Sequence, residues 1–176
     1  MASPPQPTPP EAPGAADCPE VQANVRHRAR AYRLTRVGQA AIQEAQQRCA
    51  AALNLEAHTA TQGDPRPSPE AQAALDRAHE AFHLALEACP TPDAYAGLAR
   101  AAALSARPDA LDAAEHALGH ALELDPARDD LIAERMALRV DAGRFDLARQ
   151  DLEQLEALDS DLAQGWRQEL DALTSA

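Results

Sequence analysis

"DDLIAERMALRVDAGRFDLARQDLEQLEALDSD", residues 129–161, decides the fold. Ile132 and Met136 stand one helical turn apart, and the motif "DAGRF" around Gly143 then interrupts the pattern. Phe145, Ala148, Leu152 and Leu155 resume it at spacings of three and four, which place side chains on one helix face. The stretch predicts two helices, 128–142 and 144–158, joined by a tight glycine turn.

The second helix recurs upstream. Ala148, Leu152, Leu155 and Ser160 correspond, at a shift of 34, to Ala114, Leu118, Ala121 and Pro126. A further shift of 36 gives Ala78, Phe82, Ala85 and Pro90. The first helices correspond through Tyr95, Ile132 and Trp166, at shifts of 37 and 34. Small residues let a neighbouring backbone approach, one large residue fills the gap, and the proline ends the helix. A single hairpin cannot bury its own apolar face, so stacked copies must share a core. Helices are predicted at 69–89, 93–105, 108–124, 128–142, 144–158 and 161–173. No segment alternates with period two, so no sheet is expected.

The period and the positions Ile132, Met136, Gly143, Phe145, Ala148 and Leu152 resemble the tetratricopeptide repeat family. "AYAGLARAAALSARPDALDAAEHALGHALELDP", residues 94–126, is similar, with three extra residues in its internal turn. The resemblance covers residues 70–173. It implies an all-α fold, a right-handed α-solenoid of helical hairpins with an irregular N-terminal helix and a C-terminal capping helix that carries Trp166. Two features depart from the family. Arg139 stands where a large apolar residue is usual, and the first repeat must borrow its first helix from residues 37–57. The resemblance also implies a non-enzymatic adaptor or scaffold whose first helices line a concave groove for a protein or peptide segment. Carried over, that groove consists of Asp93, Ala96, Arg100 and Ala103, then Asp130, Ala133, Ala137 and Val140. The lysine and asparagine cluster with which chaperone-linked members hold a C-terminal carboxylate is missing, so that partner class is not expected.

Composition agrees with a helical reading. Apolar residues make up 45% of the 176 residues but aromatics only 3%, so alanine and leucine supply the core. Residues 1–19 form a Pro-rich arm expected to be disordered. Residues 20–58 form an Arg-rich N-terminal helical segment, and residues 69–174 hold the repeats and the capping helix. In the N-terminal segment, Val25, Ala29, Tyr32, Val37, Ala41, Ala45, Cys49 and Ala52 read as one stripe. The stripe fits one long helix or two joined near Gly38. "TATQGDPRPS", residues 59–68, breaks the pattern and is expected to be exposed.

The net charge of −12 is unevenly spread. Residues 50–176 carry 10 Arg and 24 acids, or −14, whereas residues 1–49 carry 6 Arg and 4 acids, or +2. All 16 basic residues are arginine. The acidic body argues against nucleic acid as a general partner. "NVRHRARAYRLTR", residues 24–36, is the one basic stretch. Its arginines are expected to pair with the protein's own acidic body; the alternative is docking to an acidic partner, an anionic membrane or nucleic acid, with the chain acting as an assembly or surface-tethering module. No apolar run is long enough to span a bilayer. No charged start with an apolar run opens the chain, so the cytoplasm is the default compartment and export the alternative if a leader was removed.

Three motifs carry possible chemistry. His79-Glu80-Ala81-Phe82-His83 spells the H-E-x-x-H of zinc peptidases and supplies an alternative function, a zinc-binding protein or zinc-dependent hydrolase. Phe82 already belongs to the repeat core, however, and no recognisable third ligand follows, so no catalytic residue, metal or cofactor is assigned. His116 and His120 form a second i, i+4 pair, out of register with the first, since 79 plus 36 is Glu115. Cys18, Cys49 and Cys89 match no zinc or redox spacing and are expected to be inert, mostly buried thiols.

Overall fold

Local signals start or stop several of the helices. The computed structural model describes residues 19–59, 67–105 and 107–174; the Pro-rich arm, Cys18 and most of the 59–68 break lie outside them. Seven helices follow in order: α1 (Pro19–Thr59), α2 (Pro69–Ala88), α3 (Pro92–Ala103), α4 (Ala110–Leu124), α5 (Asp129–Asp141), α6 (Phe145–Ala157) and α7 (Leu162–Thr174). Among the described residues there is no strand. Ser68 caps α2 by accepting the Ala71 N–H at 3.2 Å, and Thr91 caps α3 by accepting the Ala94 N–H at 3.3 Å. In both helices proline occupies the first turn, where its missing N–H costs nothing.

The α5–α6 turn closes as the "DAGRF" motif predicts. Gly143 has φ +70°, and the Arg144 N–H reaches back to the Arg139 carbonyl at 2.7 Å, the six-to-one bond of a glycine-terminated helix. The α6–α7 turn repeats the arrangement with Asp159 at φ 53° and the Ser160 N–H on the Leu155 carbonyl at 3.0 Å. Aspartate is among the few non-glycine residues that adopt this conformation readily.

The helices pack in chain order. α1 lies against α2, α3 against α4 and α5 against α6; α2 meets α3, α4 meets α5, and α7 closes on α6. α1 also touches α3, and α5 touches α7. All nine recurring residues of α2, α4 and α6 (Ala78, Phe82 and Ala85 with their two sets of counterparts) are buried. Tyr95, Ile132 and Trp166 pack into one core with the recurring residues of α4 and α6, whereas Ala78 and Phe82 pack with Ala41, Ile42 and Ala101.

α1 is a single helix of 41 residues that runs unbroken through Gly38. Its buried stripe differs from the expected one. Ala31, Thr35, Gly38, Ala41, Ile42 and Ala45 face the bundle, whereas Val25, Tyr32 and Val37 are 60%, 67% and 58% exposed. The physical reason is Phe82. Its ring stands between α1 and α3 against two glycines: a Cβ on Gly38 would lie 2.7 Å from the ring, and a Cβ on Gly97 would overlap it outright. Around the ring α1 therefore turns small residues inward, with Ile42 beside them, and leaves Val25, Tyr32 and Val37 outside.

Gly97→Ala should destabilise the protein by about 1–3 kcal/mol, because the ring is confined by Gly38 and cannot retreat. Gly119→Ala, with nothing within 4 Å of the added Cβ, should instead gain ~0.5–1 kcal/mol from helix propensity. Phe82→Leu should offset part of the Gly97→Ala loss. Urea titrations of the three variants and the double mutant measure this; a Gly97→Ala protein as stable as wild type would mean that the ring is not held between the glycines.

Candidate functional site

The groove residues expected from the repeat resemblance fall on α3 and α5. Asp93, Arg100 and Asp130 are exposed, and Ala103, Ala133, Ala137 and Val140 are half-buried. Ala96 is 2% exposed and belongs to the core, so it offers no surface there. The charged members hold one another. Arg128 donates to Asp130 through Nε at 2.7 Å and to Asp93 through Nη1 at 3.1 Å, which bridges α3 and α5. Arg100 makes a forked pair with Glu134, Nε to Oε1 at 2.8 Å and Nη2 to Oε2 at 2.6 Å. Arg128 and Glu134 were missed by sequence reasoning, although Arg128-x-Asp130 and Glu134 one turn later are a readable charge pattern. The other expected residues, Ala103, Ala133, Ala137 and Val140, are half-buried, and Ala103, Ala133 and Val140 pack against the core.

Behind this face lies a charge network that also escaped the sequence reading. Asp151 on α6 is fully buried. Arg135 donates to its Oδ1 through Nη2 at 2.6 Å, and Arg139 Nη1 lies 2.8 Å from its Oδ2. That second approach lacks hydrogen-bond geometry, so Oδ2 is neutralised by charge alone. Arg139 spends its hydrogen bonds on Glu115 Oε1 at 2.8 Å and on the Leu147 carbonyl at 3.1 Å. Arg144, from the α5–α6 turn, completes the network by holding both Glu115 and Asp112 of α4. Arg139 is thus matched by an aspartate at a stripe position otherwise filled by Ala81 and Ala117.

The network shifts its carboxyl groups. Burial pushes Asp151 up, with Arg135 and Arg139 pulling the other way. Burial also works to raise Glu115, but the hydrogen bonds from Arg139 and Arg144 overcome it and hold the group below its ordinary value. On the α3/α5 face, the hydrogen bond from Arg128 holds Asp130 down.

The two histidine pairs lie elsewhere. His79 and His83 stack with ring centroids 4.4 Å apart; Glu80 and His83 are exposed and His79 is half-buried. A crevice of about 220 Å³ between α2, α3 and α4 takes in His79, Glu80, Asp76 and Arg107. Burial, then the neighbouring His83, holds His79 below the usual imidazole value. On α4, His120 Nε2 is 3.1 Å from His116 Nε2, and its Nδ1 is 2.9 Å from Glu123. Among the described residues no group of three or more His, Cys, Asp or Glu is placed to hold a metal ion. Cys49 and Cys89 are free thiols, half-buried rather than fully enclosed.

The arginines of residues 24–36 depart from expectation. Among the described residues, Arg26, Arg28, Arg30, Arg33 and Arg36 make no ion pair with the acidic body; all five are exposed. Arg26 and Arg33 lie on the side of α1 away from its buried face, whereas Arg28 and Arg36 line a crevice with Asp93, which Arg128 already holds. No family model, curated protein or solved structure matches this chain.

Asp151→Ala should cost about 3–5 kcal/mol in a denaturant titration, since it strands Arg135 in a largely buried position. Combining it with Arg135→Met and Arg139→Leu should recover most of the loss, because an apolar cluster of similar volume replaces the ions. A single variant as stable as wild type would mean that water reaches the network freely.

Stability should also fall with acid. Glu115 and Asp130 bind protons less readily in the fold than in the unfolded chain. Their contribution is therefore full above the ordinary values of 4.5 and 3.8 and is lost as pH drops through the lower folded values. Asp151, raised by burial, works in the opposite sense. Glu115→Gln should flatten the acid limb of a stability–pH profile; an unchanged slope would exclude Glu115 as a contributor.

Proposed function

We propose that the chain is a non-enzymatic adaptor, a tetratricopeptide-like right-handed stack of helical hairpins that holds a protein or peptide segment against the α3/α5 face. The observation that carries this reading is the burial of the same triplet in α2, α4 and α6, with the intervening helices stacked in chain order. A core built by serial repetition leaves the first helices of successive hairpins side by side, and such surfaces take extended partners. The paired charges on α3 and α5 fix the two helices relative to each other. The half-buried Ala103, Ala133, Ala137 and Val140 then offer a shallow apolar seat, suited to a segment with small or aliphatic side chains.

The zinc-hydrolase reading has less support. Its two histidines share a helix face, but Phe82 between them is core and no third ligand accompanies them among the described residues.

Panning a random peptide library against the whole protein, followed by calorimetric titration of the selected peptides, tests the adaptor reading. Ala137→Arg should weaken binding at least about tenfold, the equivalent of ~1.4 kcal/mol, without changing the melting temperature. Peptides that bind Ala137→Arg as well as wild type would move the site elsewhere. Chelator-sensitive cleavage of a protein substrate, abolished by Glu80→Gln, would replace the adaptor with a hydrolase.

A further inference from the structure

We propose that the outer face of α1 between Arg26 and Arg36 is a docking strip for a short acidic polypeptide segment. The inference is independent of the α3/α5 face and stands if that reading fails.

Arginine usage carries it. Every other described arginine, from Arg48 to Arg167, holds at least one carboxylate. The five on this strip have no such partner among the described residues, although the rest of the chain carries a large excess of acids. Unpaired guanidinium groups repel one another along a helix, so the arrangement costs stability unless a partner supplies the missing anions. Their forked geometry suits carboxylates, which accept two parallel hydrogen bonds.

The strip has a shape as well as a charge. Arg28, Tyr32 and Arg36 lie one above another at intervals of four residues. They border a crevice of about 570 Å³ whose far wall is the α2–α3 turn, with Pro90 and Thr91, and whose lining includes the buried Thr35. An acidic side chain can sit between Arg28 and Arg36 while an apolar neighbour lies on the exposed ring of Tyr32. Arg33, Arg26 and Arg30 follow round the helix on one side of this line, away from the buried face, and reach carboxylates there.

Length selects the partner class. Ten residues of helix span ~15 Å. Beyond Arg36 no unpaired arginine continues the strip among the described residues: Arg48 and Arg77 are both spent on Glu44, and Asp93 lines the crevice beside Arg28 and Arg36. A long polyanion such as nucleic acid would leave the strip and run onto the acidic body within a Debye length of ~8–10 Å. A membrane needs a continuous apolar face. Here Val25, Tyr32 and Val37 are interleaved with arginines and spread over more than a third of the helix circumference. A peptide with several carboxylates in ~15 Å and one apolar side chain matches both the length and the pattern.

The test uses the full chain and a fluorescein-labelled decapeptide of glutamates with one central leucine, followed by anisotropy at low and raised salt. Binding should be measurable at low salt, should weaken as salt rises, and should fall at least about tenfold in Arg28→Glu/Arg36→Glu, the loss expected for one charge-assisted hydrogen bond. Arg149→Glu, an exposed arginine on α6, should bind as wild type, and circular dichroism should be unchanged in both variants. No binding at millimolar peptide, or equal binding by the reversed variant, overturns the proposal. Tighter binding of single-stranded DNA or phosphatidylserine vesicles through the same arginines reassigns the strip to phosphates and overturns it. Self-association at low salt that blocks the peptide and disappears in the reversed variant assigns the strip to a second copy of this chain and likewise overturns it.

Discussion

The Phe82 ring, set between two glycines, fixes the geometry of the N-terminal half. One large residue from α2 fills a space that α1 and α3 leave open only because Gly38 and Gly97 carry no side chain. That contact brings three helices to one point in a chain whose interior is otherwise mostly alanine and leucine. It settles which side of α1 faces inward, and therefore which side faces out. Leu118 and Leu152 occupy the corresponding places in the next two hairpins, but both are smaller. The aromatic ring is needed where α1, far longer than its neighbours, must be gripped by helices of 20 and 12 residues.

At the other end the core is held by charge. Asp151, Arg135, Arg139, Glu115 and Arg144 join α4, α5, α6 and the glycine turn between the last two. A buried ion cluster rarely adds net stability over an apolar one, but it is intolerant of partial loss. It also imposes register: a helix slipped by one turn would leave Asp151 with one arginine in place of two, whereas a slipped leucine would find another apolar neighbour.

Much of this was legible in the sequence, and the exceptions have physical causes. Six of the seven helices lie within about two residues of their predicted bounds, because Ser68-Pro69, Thr91-Pro92 and Gly143 are chemically explicit start and stop signals. The recurring triplet was readable because alanine at its flanks means close backbone approach wherever it recurs. The stripe of α1 was misread because it followed apolar spacings of three to five residues, and the jump from Tyr32 to Val37 leaves the face that Ala31, Thr35 and Gly38 bury. There the inward face is mostly small residues with Ile42, and Gly38 on it meets the Phe82 ring, 44 positions further along the chain. Asp151 was invisible because a carboxylate in a stripe position reads as solvent-facing until its arginines, supplied by another helix, are known. On the α3/α5 face Ala96 read as a surface residue but is core, and the pairing of the charges there required the neighbouring helix.

The segregation of arginine has a consequence for how the molecule meets others in solution. With an excess of positive charge at one end of α1 and −14 on residues 50–176, the protein is a strong electric dipole. An approaching anion is repelled over most of the surface and drawn toward one end, so encounters are oriented before contact. Orientation by a long-range field acts on the rate of association more than on the lifetime of the complex, and it fades as ionic strength rises. The molecule is thereby selective in the direction of its collisions, an asymmetry set by where fifteen described arginines find, or fail to find, a carboxylate.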